Sequence, residues 1–437
     1  MGKVRIGLIG VSGYGYNHFE RIIRLVRLGV AEFSAAVVIN PEEAAAQIGQ
    51  LRECGARIYS SADAMFAELR GKLDLVCIPT GIAFHEPLTV QALENGANVL
   101  VEKPAAGAVA AIRRMMEAEK KSGKFVAVGF QHIYGREIQF LKQYLLTGRI
   151  GRVESIVCKG LWPRADQYYR RNNWAGRRAA ADGTLIWDSP INNAFAHYLN
   201  LELFLAGERF GESAHAVEVE GALWRARKEI ETFDTCAVRF TVSTGSRLTM
   251  LLSHATPVNL NPVIRIQCEH GTVFWNVDRG WNICSEDGAV IASGIVQPAN
   301  DDMFMDVIRR ISGEERFLCS LAIAREHTNC IEMLSEKLQP VELKECVSRR
   351  ESDGQYLIDG IPEVFDRCFA RDQLPEEIGV VWRRPGNRLI SAVLQKAGKL
   401  SDAVFRLFYF GWKKRQHPRK RYLINIFSYC VFSGFVV

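Results

Sequence analysis

Short apolar runs alternate with amphipathic stretches along the first 130 residues of the chain. The apolar runs are rich in β-branched residues and are predicted strands, at Val4–Gly10, Phe33–Ile39, Leu73–Ile78, Asn98–Val101 and Phe125–Val128. The stretches between them have helical periodicity, at His18–Arg27, Pro41–Leu51, Ala62–Leu69, Pro87–Asn95 and Ala108–Ser122. Such alternation predicts right-handed βαβ units, and therefore an α/β domain with a parallel sheet over residues 1–130.

A different pattern begins after Phe130 and defines a second predicted domain, residues 131–382. A helix at Arg136–Thr147 precedes longer predicted strands, at Ser155–Leu161, His215–Trp224, Thr235–Val242, Arg247–Ser253 and Val263–Cys268. Hairpin-type turns, Ser243–Ser246 and Glu269–Gly271, separate some of them. We expect a mainly antiparallel sheet with one face covered by helices, including a long helix at Leu318–Lys337.

The charge of the chain is concentrated at its C-terminal end. From Arg383 onward twelve Lys or Arg accompany a single acid, Asp402, so this segment carries +11 and residues 1–382 carry −5 of the net +6. A mildly acidic body argues against nucleic-acid binding. The last sixteen residues, Tyr422–Val437, carry no charge but fall short of the roughly 20 that a bilayer span needs. We expect residues 383–437 to be a poorly ordered tail, with membrane-surface contact as the less favoured alternative.

Cysteine usage indicates the compartment. The eleven cysteines are scattered and form no C-x-x-C pair, which predicts reduced thiols with neither a disulfide framework nor a metal site. The N-terminus passes directly into the first predicted strand, so no signal peptide is expected. The composition therefore favours a cytoplasmic protein.

A glycine cluster follows the first predicted strand, in the sequence Gly10-Val-Ser-Gly-Tyr-Gly15. Gly10, Ser12 and Gly15 take the three positions of a G-x-G-x-x-G turn, and Gly13 stands beside the middle position. Backbone N–H groups of such a turn, at a helix N-terminus, can hold a pyrophosphate. We favour dinucleotide binding over a glycine-rich turn that holds no ligand.

The end of the second predicted strand bears on the choice of cofactor. Asn40 stands where an acid would grip the ribose hydroxyls of NAD. It can still hydrogen-bond a ribose, but no Arg follows to bind a 2′-phosphate, and Glu42 and Glu43 disfavour one. The cofactor is predicted as NAD or NADP, with a mild preference for NAD.

Two later strands end in further candidate residues. Pro79 and Thr80 terminate one strand, and His85 is interpreted as a helix-start or packing residue. The next strand ends in Glu102-Lys103-Pro104, where proline holds Lys103 in an extended conformation. Ligands of open α/β sheets bind at such strand ends, so Lys103 is expected to face the same ligand as the glycine turn.

A third group lies in the second domain. Ser189 as N-cap and Pro190 at the first helical position predict a helix that ends near Gly207. Asn193 and His197 are four residues apart and would share one face of it. We interpret both as catalytic candidates.

The segment ahead of that helix contains candidate substrate contacts. Sugars favour flat aromatic faces and planar polar groups, and these are supplied by Tyr168, Tyr169, Arg171, Asn173 and Trp174. A purely structural loop is an equally good reading.

Together these features resemble the glucose–fructose oxidoreductase/inositol dehydrogenase/MocA (Gfo/Idh/MocA) family over about residues 3–382. The resemblance is carried by Gly10…Gly15-x-x-His18, Pro79-Thr80…His85, Glu102-Lys103-Pro104, Gly129…Gln131 and His197-Tyr-Leu-Asn200. It implies a doubly wound Rossmann domain, a C-terminal α/β domain with a large open sheet, NAD or NADP, and sugar- or polyol-like substrates. The second sheet is a plausible surface for a homo-oligomer.

The resemblance also implies roles for individual residues. Lys103 would be the catalytic lysine and His197 the proton-transfer histidine, with Glu102 and Pro104 shaping the loop. Many members place an acid where this chain has Asn193, which can orient an imidazole but cannot neutralise an imidazolium. Asp188 is a weaker substitute, because it precedes the predicted helix and lies off that face.

The sequence therefore predicts an NAD(P)-dependent oxidoreductase that transfers hydride between the nicotinamide and a secondary alcohol. Two alternatives remain open at this stage. One is a catalytically silent regulator that keeps the fold and binds the same ligands, favoured by Asn193. The other is an NAD-dependent glycosidase that uses transient oxidation to labilise a glycosidic bond.

Overall fold

The computed structural model describes residues 2–380 and residue 382. The predictions for residues 383–437 lie outside this range. The first part of the described chain contains, in order, β1 (Val4–Ile9), α1 (Gly15–Arg27), β2 (Ala31–Val37), α2 (Ala45–Glu53), β3 (Arg57–Tyr59), α3 (Ala62–Leu69), β4 (Leu75–Ile78), α4 (His85–Glu94), β5 (Asn98–Val101), α5 (Val109–Ser122) and β6 (Val126–Val128).

These six strands form one parallel sheet in the order β3-β2-β1-β4-β5-β6. The predicted parallel sheet is confirmed, and the three-residue strand β3 is the one element that the apolar pattern was too short to reveal. The chain runs outward from β1 in both directions, so the strand order reverses between β1 and β4. This reversal opens a crevice at the carboxyl ends of those strands.

The rest of the described chain contains α6 (Arg136–Leu146), β7 (Val153–Leu161), α7 (Asp166–Arg170), α8 (Ala196–Ala206), β8 (Ala216–Arg225), β9 (Thr235–Val242), β10 (Arg247–Ser253), β11 (Leu260–Cys268), β12 (Gly271–Asn276), β13 (Gly280–Ser285), β14 (Val290–Gly294), α9 (Asn300–Ile311), α10 (Leu321–Lys337), β15 (Val341–Glu342), β16 (Val347–Arg350), β17 (Gln355–Ile358) and α11 (Ile361–Arg371). The strands β7 to β15 form a nine-stranded sheet, and β16 pairs with β17.

The large sheet is mainly antiparallel, as predicted. Its order is β14-β13-β12-β11-β7-β10-β9-β8-β15, and of these neighbouring pairs β7–β10 and β8–β15 are parallel. The predicted hairpins are present as β9–β10 and β11–β12. Helix α10 begins after Ser320, whose side chain accepts a hydrogen bond from the Ile323 N–H, and packs on β8, α8 and α5.

Hydrogen bonds and one close backbone approach join the first part of the chain to the second near the Lys103 segment. The Val128 N–H donates to the Cys319 carbonyl at 2.8 Å, and the Val109 N–H donates to Glu332 Oε1 on α10 at 2.6 Å. Gly107 meets the backbone of Leu185 so closely that a Cβ there would lie 1.8 Å from the Leu185 oxygen. The segment after β5 is therefore clamped by residues of the second part of the chain.

The predicted helix start at Ser189-Pro190 is wrong. Residues 189–195 form consecutive turns, and α8 begins at Ala196. The Asn192 amide donates back to the Ile186 carbonyl at 2.8 Å, and the Asn193 amide donates to Asp188 Oδ1 at 2.7 Å. Such short-range side-chain bonds compete with a helical backbone, which explains the delayed start. The predicted end is confirmed, because Gly207 is the C-cap residue of α8.

Candidate active site

The candidate site lies where β1, β4 and β5 end side by side. Gly10 follows β1, Pro79 follows β4, and Glu102 and Lys103 follow β5. Since these strands are parallel neighbours, their carboxyl ends share one edge of the sheet. The topology thus brings the three sequence-predicted strand ends together.

The glycine turn between β1 and α1 has the geometry that its residues require. Gly10 has φ +94° and Gly13 has φ +55°, conformations that favour glycine, and no atom lies within 4 Å of a Cβ built on either. Gly15 is tightly packed, because its Cβ would lie 2.4 Å from the Gly10 oxygen. Ser12 is partly exposed between them. The open side of the turn, at the N-terminus of a 13-residue helix, fits a pyrophosphate.

Asn40 follows the end of β2 and is exposed. Its Nδ2 lies 3.5 Å from Glu43 Oε2, so a carboxylate faces the position where a ribose hydroxyl would be held. The carboxylate would repel a 2′-phosphate, as the sequence predicted.

Thr80 and Pro104 are tied together by His85, the first residue of α4. The His85 Nδ1 lies 2.8 Å from the Pro104 carbonyl oxygen, and its Nε2 lies 3.0 Å from the Thr80 carbonyl oxygen. Burial lowers the pKa of His85, and the two carbonyl contacts oppose this shift because each carbonyl oxygen accepts a hydrogen bond from a ring N–H. The helix-start interpretation of His85 is confirmed. The Lys103–Pro104 peptide, beside this contact, is cis.

Glu102 is buried and paired with a residue that sequence reasoning did not assign a role. His18 Nε2, on α1, donates to Glu102 Oε1 at 2.9 Å, and the Lys103 N–H donates to Glu102 Oε2 at 3.1 Å. Burial raises the pKa of Glu102, but the His18 bond and the charge of Lys103 outweigh it and lower the pKa below its usual value. Glu102 is therefore ionised, and it holds the backbone from which Lys103 projects.

Lys103 crosses from the first domain to the second. Its Nζ donates to the Asn193 carbonyl oxygen at 2.8 Å and to Asn193 Oδ1 at 3.2 Å. The amide nitrogen of Asn193 donates in turn to Asp188 Oδ1 at 2.7 Å, and Arg171 Nη2 lies 4.0 Å from the same oxygen. The contacts therefore form a row of four groups: the Lys103 ammonium, the Asn193 amide, the Asp188 carboxylate and the Arg171 guanidinium.

Burial dominates the electrostatics of Lys103. It lowers the pKa of the ammonium below its usual value, while the charges of Glu102 and Asp188 oppose the shift and that of Arg171 adds to it. Burial also raises the pKa of Asp188, against the hydrogen bonds from the Gly176 N–H and Asn193. The lysine is thus easier to deprotonate than a surface lysine.

His197 lies on the first turn of α8, near Lys103. Its ring packs edge-on against His132, with ring centroids 5.3 Å apart, and against Phe130. Burial lowers the pKa of His197 well below its usual value, and the charge of Lys103 adds to the effect, followed by His132 and His327. The imidazole is therefore neutral near pH 7 and able to accept a proton.

The predicted pairing of Asn193 with His197 is wrong. Asn193 precedes α8, so the two residues do not share a helical face, and Asn193 bonds to Lys103 and Asp188. Among the described residues His197 Nδ1 is buried without a hydrogen-bond partner. Asp188, which the sequence placed off the face, is instead joined to the site through the Asn193 amide.

The predicted substrate residues divide between two sides of one loop. Arg171 stacks on Tyr168, with its guanidinium 3.6 Å from the ring centroid, and lies beside Asp188. Trp174 approaches the Gly81 backbone at the end of β4. Tyr169 and Asn173 instead line a separate cavity of about 500 Å³.

Sequence reasoning missed the role of His18 and underestimated that of Asp188. His18 had a weak signal, since it follows Gly15 by three residues and so begins the helix that faces the ligand edge. Asp188 was ranked only as a weaker substitute for an acid, because its role depends on a turn that replaces the expected helix. The described residues hold no group of three or more His, Cys, Asp or Glu that could bind a metal ion.

The site combines three features: the Lys103 ammonium with a lowered pKa, the neutral imidazole of His197, and a glycine turn that is open to a diphosphate. An ammonium can stabilise negative charge that develops on a substrate oxygen, and a neutral imidazole can take a proton. Such a pair beside a dinucleotide site suits the interconversion of an alcohol and a carbonyl.

Comparison with known families agrees with this geometry. Residues 4–130 match the family model "Oxidoreductase family, NAD-binding Rossmann fold", and residues 138–274 match "GFO/IDH/MocA C-terminal domain". An inositol 2-dehydrogenase of Pseudomonas savastanoi pv. phaseolicola is 31% identical over 208 residues, which are 47% of this chain and 56% of that protein. The enzyme of the same name from Acidothermus cellulolyticus is 26% identical over 315 residues, 72% of this chain and 77% of that protein.

Solved structures show the same fold. The WlbA dehydrogenase from Bordetella pertussis, in complex with NADH and UDP-GlcNAcA, has a TM-score of 0.62 at 22% identity and covers 76% of this chain and 96% of its own. A levoglucosan dehydrogenase in complex with NADH has a TM-score of 0.62 at 16% identity, covering 76% and 96%. The chain spans about half the length of several of the inositol 2-dehydrogenases it matches.

Proposed function

Because the chain belongs to the Gfo/Idh/MocA family of oxidoreductases, with an NAD-binding Rossmann fold, we propose that it is a dehydrogenase. Its substrate is a secondary alcohol of a sugar, polyol or related small molecule. The observation that carries the proposal is the position of Lys103. It follows β5 at the ligand edge of the Rossmann sheet, and its Nζ is held at 2.8 Å by the Asn193 carbonyl of the second domain.

The chain's own residues divide the work as follows. When bound, the cofactor would supply a nicotinamide ring as the hydride acceptor. The Gly10–Gly15 turn, with Ser12 and Gly13, would hold its diphosphate, and Pro79 and Thr80 would border the adjacent part. Asn40 would contact the ribose. Because Glu43 lies 3.5 Å from Asn40, the proposed cofactor is NAD in preference to NADP.

Proton transfer is assigned to His197. Its Nδ1 is enclosed, so Nε2 is the atom that takes the hydroxyl proton of the substrate. Lys103 Nζ donates to the same substrate oxygen and stabilises its developing negative charge. Asn193 and Asp188 position the ammonium, and Glu102, held by His18, positions the backbone of Lys103. Pro104 shapes the loop, and Arg171 and Trp174 contact the substrate.

The regulator is the second candidate, because Asn193 stands where the family places an acid. The structure weakens this argument, since the Asp188 carboxylate lies one hydrogen bond behind the Asn193 amide at 2.7 Å. The glycosidase uses the same lysine and histidine and is separated from the dehydrogenase by experiment.

The test is to incubate the full chain with NAD or NADP and a panel of sugars and polyols, and to follow NADH or NADPH absorbance. We expect net reduction of NAD with at least one polyol. Lys103→Met should lower kcat by about 10³-fold, a typical loss for one electrostatic group, while NAD binding by calorimetry stays unchanged. The matched control is Lys72→Met, at an exposed lysine that bonds the Glu68 carbonyl at 3.2 Å, which should retain full activity.

Other outcomes identify the alternatives. Binding of NAD and sugar without turnover would support the regulator and contradict the dehydrogenase. Release of aglycone from a glycoside without net NADH would support the glycosidase. Full activity of Lys103→Met would refute the assigned mechanism.

Assembly and location remain predictions. Half-buried positions alternate with buried ones along β11 and β12, so one face of these strands is partly open, which suits a homo-oligomer and is testable by light scattering. None of the described helices is long and apolar enough to cross a membrane. Nucleic-acid binding is not part of the proposed function, and the cytoplasmic assignment rests on cysteine usage.

A further inference from the structure

The 500 Å³ cavity on the other side of the substrate loop is lined by more cations than acids. We call it the arginine pocket. Its size falls within the usual range for small-molecule sites, about 300–1,000 Å³. Its charged lining residues are five cations and two acids, which are Arg170, Arg177, Arg227, Lys228 and Arg349 against Asp166 and Glu229. Two of these cations have acid partners outside the lining, because Arg177 pairs with Glu231 and Arg349 with Glu351. The other three, Arg170, Arg227 and Lys228, still outnumber the two acids of the lining.

One carboxylate of the pocket lining, that of Asp166, accepts hydrogen bonds from three guanidinium groups. Asp166 accepts from Arg227 at 2.6 Å, from Arg349 at 3.1 Å and from Arg170 at 3.3 Å. A single carboxylate can neutralise only one of these charges, and Glu351, whose Oε2 lies 3.4 Å from Arg349 Nη1, balances a second. The remaining positive charge points to an anionic ligand rather than to a closed structural network.

The Arg227 side chain, which lines the pocket, is held in place by several contacts. It is buried, lies between the rings of Tyr169 and Tyr356 at 4.6 Å from each centroid, and donates to the Gly354 carbonyl at 2.8 Å. Its backbone N–H donates to Asp234 at 2.8 Å. A guanidinium held from both faces and by its edge is pre-organised, so little entropy is lost when an anion binds near it.

The pocket shares a wall with the candidate active site. Helix α7 and the following residues, as far as Arg177, carry Tyr169 and Asn173 on the pocket side, whereas Arg171 and Trp174 lie toward Asp188 and Gly81. An anion in the pocket would therefore lie across this loop from a ring oxidised beside Lys103. The pocket is separate from the glycine turn, so the cofactor diphosphate does not account for it.

We propose that the arginine pocket binds a phosphate or diphosphate group carried by the substrate. The substrate class is then a sugar phosphate or a nucleoside diphosphate sugar, and a neutral polyol is a poorer substrate. This inference rests on the proposed dehydrogenase function for its turnover part, but anion binding can be measured alone.

The binding experiment uses inorganic pyrophosphate as the probe and the full chain without NAD. The test variant is Lys228→Ala/Arg349→Ala, at two residues on the rim, and the control is Lys72→Ala/Arg209→Ala, two exposed cations elsewhere. We expect calorimetry to give a dissociation constant at least tenfold weaker for the test variant and unchanged for the control. Equal affinities in all three proteins, or no binding by the unmodified chain, would overturn the inference. A thermal melt of each protein without ligand checks that it is folded.

The turnover experiment compares glucose, glucose 1-phosphate and UDP-glucose as substrates with NAD. We expect kcat/KM to rise at least tenfold from the free sugar to an ester. The test variant should raise KM for the esters, whereas the control variant should leave KM and kcat for all three substrates unchanged. A higher kcat/KM for glucose 1-phosphate would indicate that the pocket takes a phosphate, and a higher kcat/KM for UDP-glucose would indicate a diphosphate. Equal turnover of all three by both proteins would overturn the pocket assignment while sustaining the dehydrogenase. Pyrophosphate binding that weakens in the test variant, together with no NADH formation, would instead contradict the dehydrogenase and leave the anion site.

Discussion

At the scale of single residues, Lys103 is placed between two carboxylates and yet is easier to deprotonate than a surface lysine. Glu102 and Asp188 both favour the ammonium, but burial outweighs them. The hydrogen bonds to Asn193 hold the Lys103 side chain in place. They do not offset the effect of burial, so the pKa of the ammonium stays below its usual value. A group of this kind can donate a hydrogen bond to an alkoxide and exchange its proton during turnover.

This pKa direction predicts a basic limb in the pH profile. If the ammonium stabilises the substrate oxygen, activity is lost as pH rises through the pKa of Lys103, which lies below the ordinary value of about 10.4. Lys103→Arg keeps a cation whose pKa exceeds about 12, so its lower kcat should no longer fall on the basic side. The check is kcat against pH for both proteins, with Lys72→Arg as the control. A limb at the same pH in Lys103→Arg would assign it to another group.

At the scale of elements, the site depends on two non-helical segments that touch. The segment after β5 carries Lys103 to Gly107, and the turns before α8 carry Leu185 to Asn193. They meet at Gly107, where a Cβ would lie 1.8 Å from the Leu185 oxygen. This contact sets the distance at which Lys103 reaches Asn193.

Gly107→Ala should therefore separate the two segments. Overpacking of a backbone contact costs about 1–3 kcal/mol of unfolding free energy, and kcat should fall because Lys103 loses its place beside Asn193. The control is Gly49→Ala in α2, where nothing lies within 4 Å of the added Cβ. That change should raise stability by about 0.5–1 kcal/mol and leave kcat unchanged. Urea unfolding and kcat measurements on both variants test the prediction, and equal behaviour would contradict it.

Elements also show where sequence patterns succeed. The strands β5 and β9 have the predicted bounds, because buried strands of four to eight residues in which half are β-branched leave a clear signal. The predicted helix start at Ser189-Pro190 failed, although both residues are favourable there. Local propensity was overridden by the hydrogen bonds of Asn192 and Asn193 with the preceding turn.

At the scale of the whole molecule, the last described residue, Trp382, makes an aromatic contact with the large sheet. Trp382 is 3% exposed and packs edge-on against Trp224 of β8, with ring centroids 5.0 Å apart. Trp382 is therefore part of the second domain. The boundary with a tail that starts at residue 383 stays a prediction.

A truncated chain ending at Gly386 should therefore keep the activity and thermal stability of the full chain. Adding Trp382→Ala to the truncated chain should cost about 2–3 kcal/mol, since a large buried ring is lost. Thermal unfolding and NADH formation measure both effects. Loss of folding on truncation alone would show that the tail belongs to the core, and an unchanged melting temperature in the truncated Trp382→Ala chain would refute the role of Trp382.

The sequence by itself determined the kinds of domain, the glycine turn and the identity of Lys103 and His197 as candidates. These depend on periodicity and on residues adjacent in the chain, which local physics governs. Only the tertiary structure decided that Asn193 binds Lys103, that Asp188 joins through Asn193, that His18 holds Glu102, and that Arg227 lies in a cationic cavity. Each of these contacts joins residues through turns whose direction depends on packing, and no local pattern encodes that direction.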